Sequence, residues 1–109
     1  MPMFKISNEE QLEVEMFTGV NRHTLACGKD VLMAKFEYEK GSKVPPHKHS
    51  YEQVTTLLEG KQKILIENNG ETEEIIVSAG ESYIVPANFR HEQLTLEKSL
   101  TIDAWSLAP

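Results

Sequence analysis

The stretch PPHKHSYEQ, from Pro45 to Gln53, decides how the rest of this sequence is interpreted. His47 and His49 stand one residue apart, and Gln53 follows six positions after the first of them. Side chains two residues apart on a strand point to the same face, with Cα atoms about 6.5–7 Å apart, so both imidazoles can converge on one metal ion. On a regular strand Gln53 and Tyr51 would share that face. The histidine pair alone leaves a second interpretation open, a polar strand facing solvent.

A further metal ligand must come from elsewhere in the chain. His91 is the strongest candidate, because it follows Gly80, Pro86 and Asn88 in a segment that predicts a strand, a turn and a second strand. His23 stands upstream without such partners. The predicted ligand set therefore comes from two separate segments of the chain.

Short runs of alternating apolar and polar residues, separated by Gly, Pro and Asn, fill almost the whole sequence, which is typical of an all-β sandwich or barrel. Asn69-Gly70 predicts a tight hairpin turn, because both central positions of that turn need positive φ. The one predicted helical turn is SNEEQ, with Ser7 as its cap. About nine strands favour a closed barrel or jelly roll, since closure protects exposed edges. The candidate strands are LEVEMF, HTLAC, DVLMAKFEYE, EQVTTLLEG, KQKILIEN, ETEEIIVS, ESYIVP, EQLTLE and LTIDAWS.

Length and composition limit the classes of protein to consider. A chain of 109 residues predicts a single domain, 1–109, whose residues 1–20 form an N-terminal edge segment. A net charge of -6 without a run of Lys or Arg argues against a nucleic-acid or membrane partner and favours small molecules or further copies of the chain. The absence of a signal-like or membrane-spanning run predicts a cytoplasmic protein. Cys27, the single cysteine, is predicted to be packed inside rather than reactive.

The spacing of glycines, histidines and Pro86 resembles the two motifs of the cupin superfamily, G-x5-H-x-H-x3-E-x6-G and G-x5-P-x-G-x2-H. The match runs from Gly41 to Gly60 and from Gly80 to His91. The resemblance implies a double-stranded β-helix, or jelly-roll barrel, that holds one divalent metal ion per chain. The implied ligands are His47, His49, Gln53 and His91.

Two positions depart from the motifs. Asn88 stands where the second motif has glycine, and Asn also tolerates positive φ. Gln53 stands where the first motif has a carboxylate, so three neutral imidazoles and an amide leave the +2 charge of a divalent metal uncompensated. Such a site should favour anionic ligands and polarise a bound oxygen as a Lewis acid. The metal itself stays open among Zn, Ni, Mn, Fe and Co, since His and Gln suit all of them.

Among small cupins, HKHSYEQV, LEGK and the closing TIDAWS resemble the KdgF family of pectin degradation proteins. The resemblance implies conversion of 4,5-unsaturated monouronates to linear 4-deoxy-5-keto uronates, with Asp103 as the acid/base and Trp105 against the sugar ring. Tyr51 would line the cavity, and Arg90, directly before His91, is a candidate cation for the uronate carboxylate. Strand alternation agrees in part: Asp103 and Trp105 share one face of LTIDAWS, and one face must look into the barrel.

The sequence leaves other functions open. A non-enzymatic cupin that binds a small anionic ligand or sugar would have no need of Asp103. A metal-dependent cupin dioxygenase would use three histidines and a weak fourth ligand to hold ferrous iron with open coordination positions. The segment LEVEMF alternates poorly with any local partner, and cupins commonly pack or exchange such edge strands, which predicts a homodimer.

Overall fold

The computed structural model describes residues 4–106 and is an antiparallel β structure; residues 1–3 and 107–109 lie outside the described part. A short 3-10 helix, Asn8–Glu10, precedes the strands. No helix within residues 4–106 is long and apolar enough to cross a membrane. The strands are β1 Leu12–Phe17, β2 Val20–Cys27, β3 Val31–Tyr38, β4 Lys43–His47, β5 Gln53–Asn68, β6 Glu71–Ser78, β7 Ser82–Val85 and β8 Arg90–Ser106.

Two long strands, β5 and β8, belong to both layers of the structure. The end of β5 nearest Gln53 pairs with the end of β8 nearest Ser106 in the first layer. The strand order of this layer is β1-β2-β3-β8-β5-β7. Their other halves form the second layer, in the order β4-β8-β5-β6. Two antiparallel layers that share their central strands make the jelly-roll barrel that the sequence predicts.

The bend of β5 between the layers lies at Gly60. The register between β5 and β8 shifts repeatedly between Leu57 and Gln62, and such bulges turn a strand from one layer into the next. Gly60 has a φ of +93°, and a Cβ on it would collide with the carbonyl oxygen of Lys98 and the side chain of Ser99 on β8. Only glycine allows this close approach of the two backbones.

We expect Gly60→Ala to destabilise the protein far more than Gly70→Ala. Gly70 also has positive φ, +82°, but a Cβ there meets nothing within 4 Å. Alanine at Gly70 should therefore cost about 1–2 kcal/mol of unfolding free energy from backbone strain alone. At Gly60 the collision adds roughly 1–3 kcal/mol. Urea unfolding of both variants measures the difference, and equal losses would contradict the close approach at the bend.

The apolar core comes mainly from β5, β6 and β7. Its buried members are Leu57, Ile64, Val77, Tyr83 and Val85. The inward faces of β8 and of the start of β5 are instead polar, because they bury Thr55, Thr101 and Asp103. One part of the interior is thus filled by hydrocarbon, and the other carries hydrogen-bonding groups.

Several predicted elements differ from the observed ones. EQVTTLLEG and KQKILIEN are one strand, and EQLTLE and LTIDAWS are another, since the bends do not interrupt the pairing of β5 with β8. The strand β4 ends at His47, earlier than the strand expected through His49, and it contains Pro45 and Pro46, which an edge strand tolerates. The turn at Asn69-Gly70 is confirmed, with φ of 53° and 82°.

Of two smaller predictions, one is confirmed in part and the other is wrong. The helical turn is formed, as the 3-10 helix Asn8–Glu10 with Ser7 at its N-cap position, but the Ser7 hydroxyl donates to the carboxylate of Glu10 at 3.0 Å and makes no capping bond to the backbone. Cys27 is exposed rather than packed, since it ends β2 beside the turn that starts at Gly28.

Candidate metal centre

Three histidine rings from two segments meet at one point of the barrel interior. His47 is the last residue of β4 and lies opposite His91 of β8, with ring centroids 4.2 Å apart. His49 follows in the loop before β5, 5.0 Å from the ring of His91 and 5.7 Å from that of His47. One nitrogen from each ring lies within 4.8 Å of the others. The regular strand expected through His49 is not formed, because β4 ends at His47 and β5 starts at Gln53.

Backbone carbonyls fix the tautomer of all three rings. The Nδ1 of His47 lies 2.9 Å from the Pro45 oxygen, that of His49 lies 2.8 Å from the Tyr51 oxygen, and that of His91 lies 2.9 Å from the Phe89 oxygen. A carbonyl oxygen only accepts, so each Nδ1 carries the hydrogen. Each Nε2 is left with a lone pair, as in metal-binding histidines held by outer hydrogen bonds.

Gln53, the first residue of β5, turns an acceptor toward the same point. Its amide nitrogen donates to Thr55 Oγ1 at 3.0 Å and to Asp103 Oδ2 at 3.1 Å, which fixes the side-chain oxygen on the opposite side. That oxygen lies 3.1 Å from Nε2 of His49. Both atoms carry lone pairs, and a cation bound to both of them would relieve their repulsion. The donor set of three Nε2 atoms and one amide oxygen therefore fits a divalent metal ion.

The protonation state of His91 suits the same role. Burial lowers the pKa of His91 to about 4, the bond to the Phe89 carbonyl raises it, and the neighbouring His47 and His49 lower it further. The ring is neutral at neutral pH and keeps its lone pair. A neutral imidazole is the form that binds metals.

Asp103 is a buried carboxylate directly behind Gln53. It accepts from the hydroxyl of Thr101 at 2.6 Å and from that of Thr55 at 3.0 Å, in addition to the Gln53 amide. Burial raises the pKa of Asp103 to about 6, although the hydrogen bonds from Thr101 and Thr55 and the charge of Arg22 lower it. The face of β8 that carries Thr101, Asp103 and Trp105 thus looks into the barrel, the orientation that the sequence left open.

The loop after β7 is hydrogen-bonded to the loop between β4 and β5 that contains His49. Asn88 has a φ of 67°, in the left-handed region where the motif places glycine. Its backbone N–H donates to the carbonyl of His49 at 2.7 Å. The residue that departs from the motif therefore keeps the backbone geometry and joins the two segments that supply the histidines.

A cavity of about 310 Å³ opens beside the three histidines. One wall is aromatic: Tyr51 stacks on His49 with centroids 4.1 Å apart, and Trp105 lies 6.1 Å from Tyr51. Met16 and Phe17 of β1 border the same space, so the N-terminal strand contributes to the cavity. The volume lies at the lower end of the range for small-molecule sites, about 300–1,000 Å³.

Of the predicted site residues, Arg90 alone does not line this cavity. It is exposed at the first position of β8, where the strand alternation turns it away from the side that His91 faces. The cavity is lined instead by Arg22 of β2, which no pattern in the sequence marks as a site residue. The predicted strand HTLAC began after it, and polar Asn21, Arg22 and His23 in succession give no alternation that marks an inward side.

Comparison with known proteins places these features in context. The family model described as "Cupin domain" matches residues 34–95, more than half of the chain. No curated protein matches the sequence. The structure of KdgF from Halomonas sp. is similar, with a TM-score of 0.82 and 23% identity over 96% of this chain and 95% of that one.

Two further solved structures show the same fold. An RmlC-like cupin from Shewanella frigidimarina has a TM-score of 0.82 and 22% identity over 98% of this chain and 93% of that one. Oxalate decarboxylase from Bacillus subtilis, whose Mn(II) centres have been characterised, has a TM-score of 0.84 and 13% identity. That match covers 93% of this chain but only 28% of the decarboxylase. At these identities the likeness concerns the fold.

Proposed function

Since this chain belongs to the cupin domain family, we propose that it is a metal-dependent enzyme that converts 4,5-unsaturated monouronates to linear 4-deoxy-5-keto uronates. The observation that carries the proposal is the Asp103 carboxylate, buried on the cavity side of β8 and bonded to the ligand candidate Gln53. The motif resemblance to KdgF and the fold shared with the Halomonas KdgF structure support it. We place the reaction in the cytoplasm, in uronate metabolism after pectin breakdown.

The proposed metal ligands are His47, His49, Gln53 and His91. A divalent ion held there would act as a Lewis acid toward an oxygen of the bound sugar. Thr55 and Asp103 hold the Gln53 amide so that its oxygen, and not its nitrogen, faces the histidines. Trp105 and Tyr51 both line the cavity, and we assign them the contact with the sugar ring.

The reaction requires only that one proton be moved. In the cyclic substrate the ring oxygen joins the hemiacetal carbon C1 to C5, and C4 and C5 share a double bond. Removal of the C1 hydroxyl proton breaks the C1–oxygen bond and leaves an aldehyde at C1 and an enolate at C5. Protonation at C4 then gives the ketone at C5. Asp103 accepts the first proton and returns it at C4, so no co-reactant is needed.

An assay of the purified, metal-loaded protein on unsaturated galacturonate tests the proposal. We expect the alkene absorbance to disappear and a linear keto product to form. Binding of the sugar without any turnover would contradict the enzymatic proposal and favour a non-enzymatic ligand-binding cupin. Oxygen consumption with another substrate would favour a dioxygenase.

We also propose a homodimer, which the N-terminal edge segment predicts. Besides the exposed strand β1, an apolar row crosses four strands on the outer side of the first layer, formed by Met33, Ala104, Val54 and Ile84. Exposed fractions of 44% for Met33, 44% for Val54 and 59% for Ile84 are high for apolar side chains. Contiguous apolar surface of this kind marks interaction sites.

We expect Val54→Glu to yield a monomer at micromolar concentration, because a charge would be buried in the dimer contact. Light scattering after size exclusion measures the mass. Ile76→Glu is the matched control, since Ile76 is 49% exposed on β6 of the other layer. A wild-type protein that is itself monomeric would refute the dimer.

A further inference from the structure

The chain has two arginines, and only Arg22 lines the cavity. Its side chain is partly buried, and its guanidinium carbon lies 5.2 Å from the centroid of the Trp105 ring. Within residues 4–106 it makes no ion pair and no side-chain hydrogen bond. A partly buried guanidinium whose donors are not engaged by these residues has the capacity to bind an anion.

We propose that Arg22 binds the carboxylate of the ligand and makes the cavity selective for acidic over neutral sugars. The identity of that ligand as a uronate rests on the proposed function. The guanidinium presents a planar fork of donors that matches a carboxylate with two parallel hydrogen bonds. Arg22 therefore takes the role that the sequence had suggested for Arg90.

The charges around the cavity favour this assignment. Although the chain carries a net charge of -6, the residues between 4 and 106 that line the cavity include two cations, Arg22 and Lys48, and a single carboxylate, Asp103. The oxygens of Asp103 already accept from Thr101, Thr55 and Gln53. Lys48 is exposed in the loop between the histidines, where solvent and salt screen its charge. Arg22 is the cation that the cavity holds partly away from water.

The order of side chains along the cavity wall determines how the bound ligand is oriented. From the histidine cluster the wall runs from His49 to Tyr51, then to Trp105 and then to Arg22. Asp103 and Trp105 lie two residues apart on β8, so their side chains point to the same side of the strand. A uronate carries its carboxylate on C5, next to the C4 atom that receives the proton. A carboxylate anchored at Arg22 therefore keeps that end of the sugar on the β8 wall, beside Trp105 and Asp103.

Ligand binding tests the assignment without any turnover. Trp105 is the only tryptophan of the chain and lies beside Arg22, so its fluorescence should report titration of the metal-loaded protein with saturated sugars. We expect the wild type to bind galacturonate more tightly than galactose. Arg22→Gln should weaken galacturonate binding roughly 10- to 100-fold and leave galactose binding unchanged. Arg22→Lys, which keeps the charge without the fork, should fall between them.

Arg90→Gln is the matched control, because it removes the same charge from an exposed position outside the cavity. It should leave both affinities as they are. The assignment is overturned if Arg22→Gln keeps the preference for galacturonate, or if it weakens both sugars equally, which would give Arg22 only a structural role beside Trp105. If the protein selects galacturonate through Arg22 but does not open unsaturated uronates, the role of Arg22 stands and only the proposed function is refuted.

Discussion

His91→Ala should abolish stoichiometric metal binding. His91 is the most buried of the three histidines, and its ring lies close to both others, so its loss leaves two imidazoles and an amide oxygen at a partly exposed site. Removal of an outer-shell partner of a metal ligand already costs about 10- to 100-fold in affinity, and we expect removal of the ligand itself to cost more than about 100-fold. Elemental analysis of the purified variant and titration with a divalent metal measure the loss.

His23→Ala is the matched control. His23 is also partly buried in a strand, but its Nε2 lies 3.1 Å and 2.9 Å from the carboxylates of Glu13 and Glu37, away from the cluster. This variant should keep the wild-type metal content. If His91→Ala retained one tightly bound metal ion per chain while folded, as judged by circular dichroism, the three-histidine site would be wrong.

Asp103→Asn should reduce turnover of unsaturated galacturonate by about 10²- to 10⁴-fold, the usual contribution of a general acid/base. Asparagine has the shape of aspartate but cannot take up the proton of the C1 hydroxyl. Its side-chain oxygen can still accept from Gln53 and Thr55, while the Thr101 hydroxyl turns to accept from the new amide. We therefore expect an unchanged metal content and a fall in kcat rather than a rise in KM. The decay of alkene absorbance at saturating substrate measures it.

Asp30→Asn is the control, because Asp30 is the only other aspartate and lies exposed in the turn before β3. Full turnover by Asp103→Asn would remove Asp103 from the reaction. A loss of metal together with activity would instead make it a positioning residue that acts through the Gln53 amide.

The sequence predicted the β architecture from local signals, and it predicted the histidine cluster because the spacing resembles the cupin motifs. Alternation, turn glycines and the spacing of His47, His49 and His91 can be read without knowing which strands pair. The amide of Gln53, by contrast, is held by Asp103, fifty positions away. Contacts of that kind depend on register across β5 and β8, which no local pattern encodes.

Arg22 and Arg90 illustrate the same difference. The sequence suggests Arg90 because it adjoins His91, but neighbours on a strand point to opposite sides. Arg22 reaches the cavity because β2 pairs with β3, which in turn pairs with β8, and these registers bring Arg22 to the inner side near Trp105. Arg90 is therefore close to His91 along the chain, whereas Arg22 is the arginine that lines the cavity.

The hydrogen bond between Gln53 and Asp103 has a consequence for how this site holds its negative charge. A glutamate at position 53 would place a second carboxylate within about 3 Å of the first, and this repulsion would raise the pKa of one of the two groups. With glutamine at position 53, the one carboxylate of the pair is Asp103, one side chain behind the position where the family motif has it. In the proposed mechanism, metal ligation and proton transfer would therefore belong to different residues, the Gln53 amide oxygen and the Asp103 carboxylate.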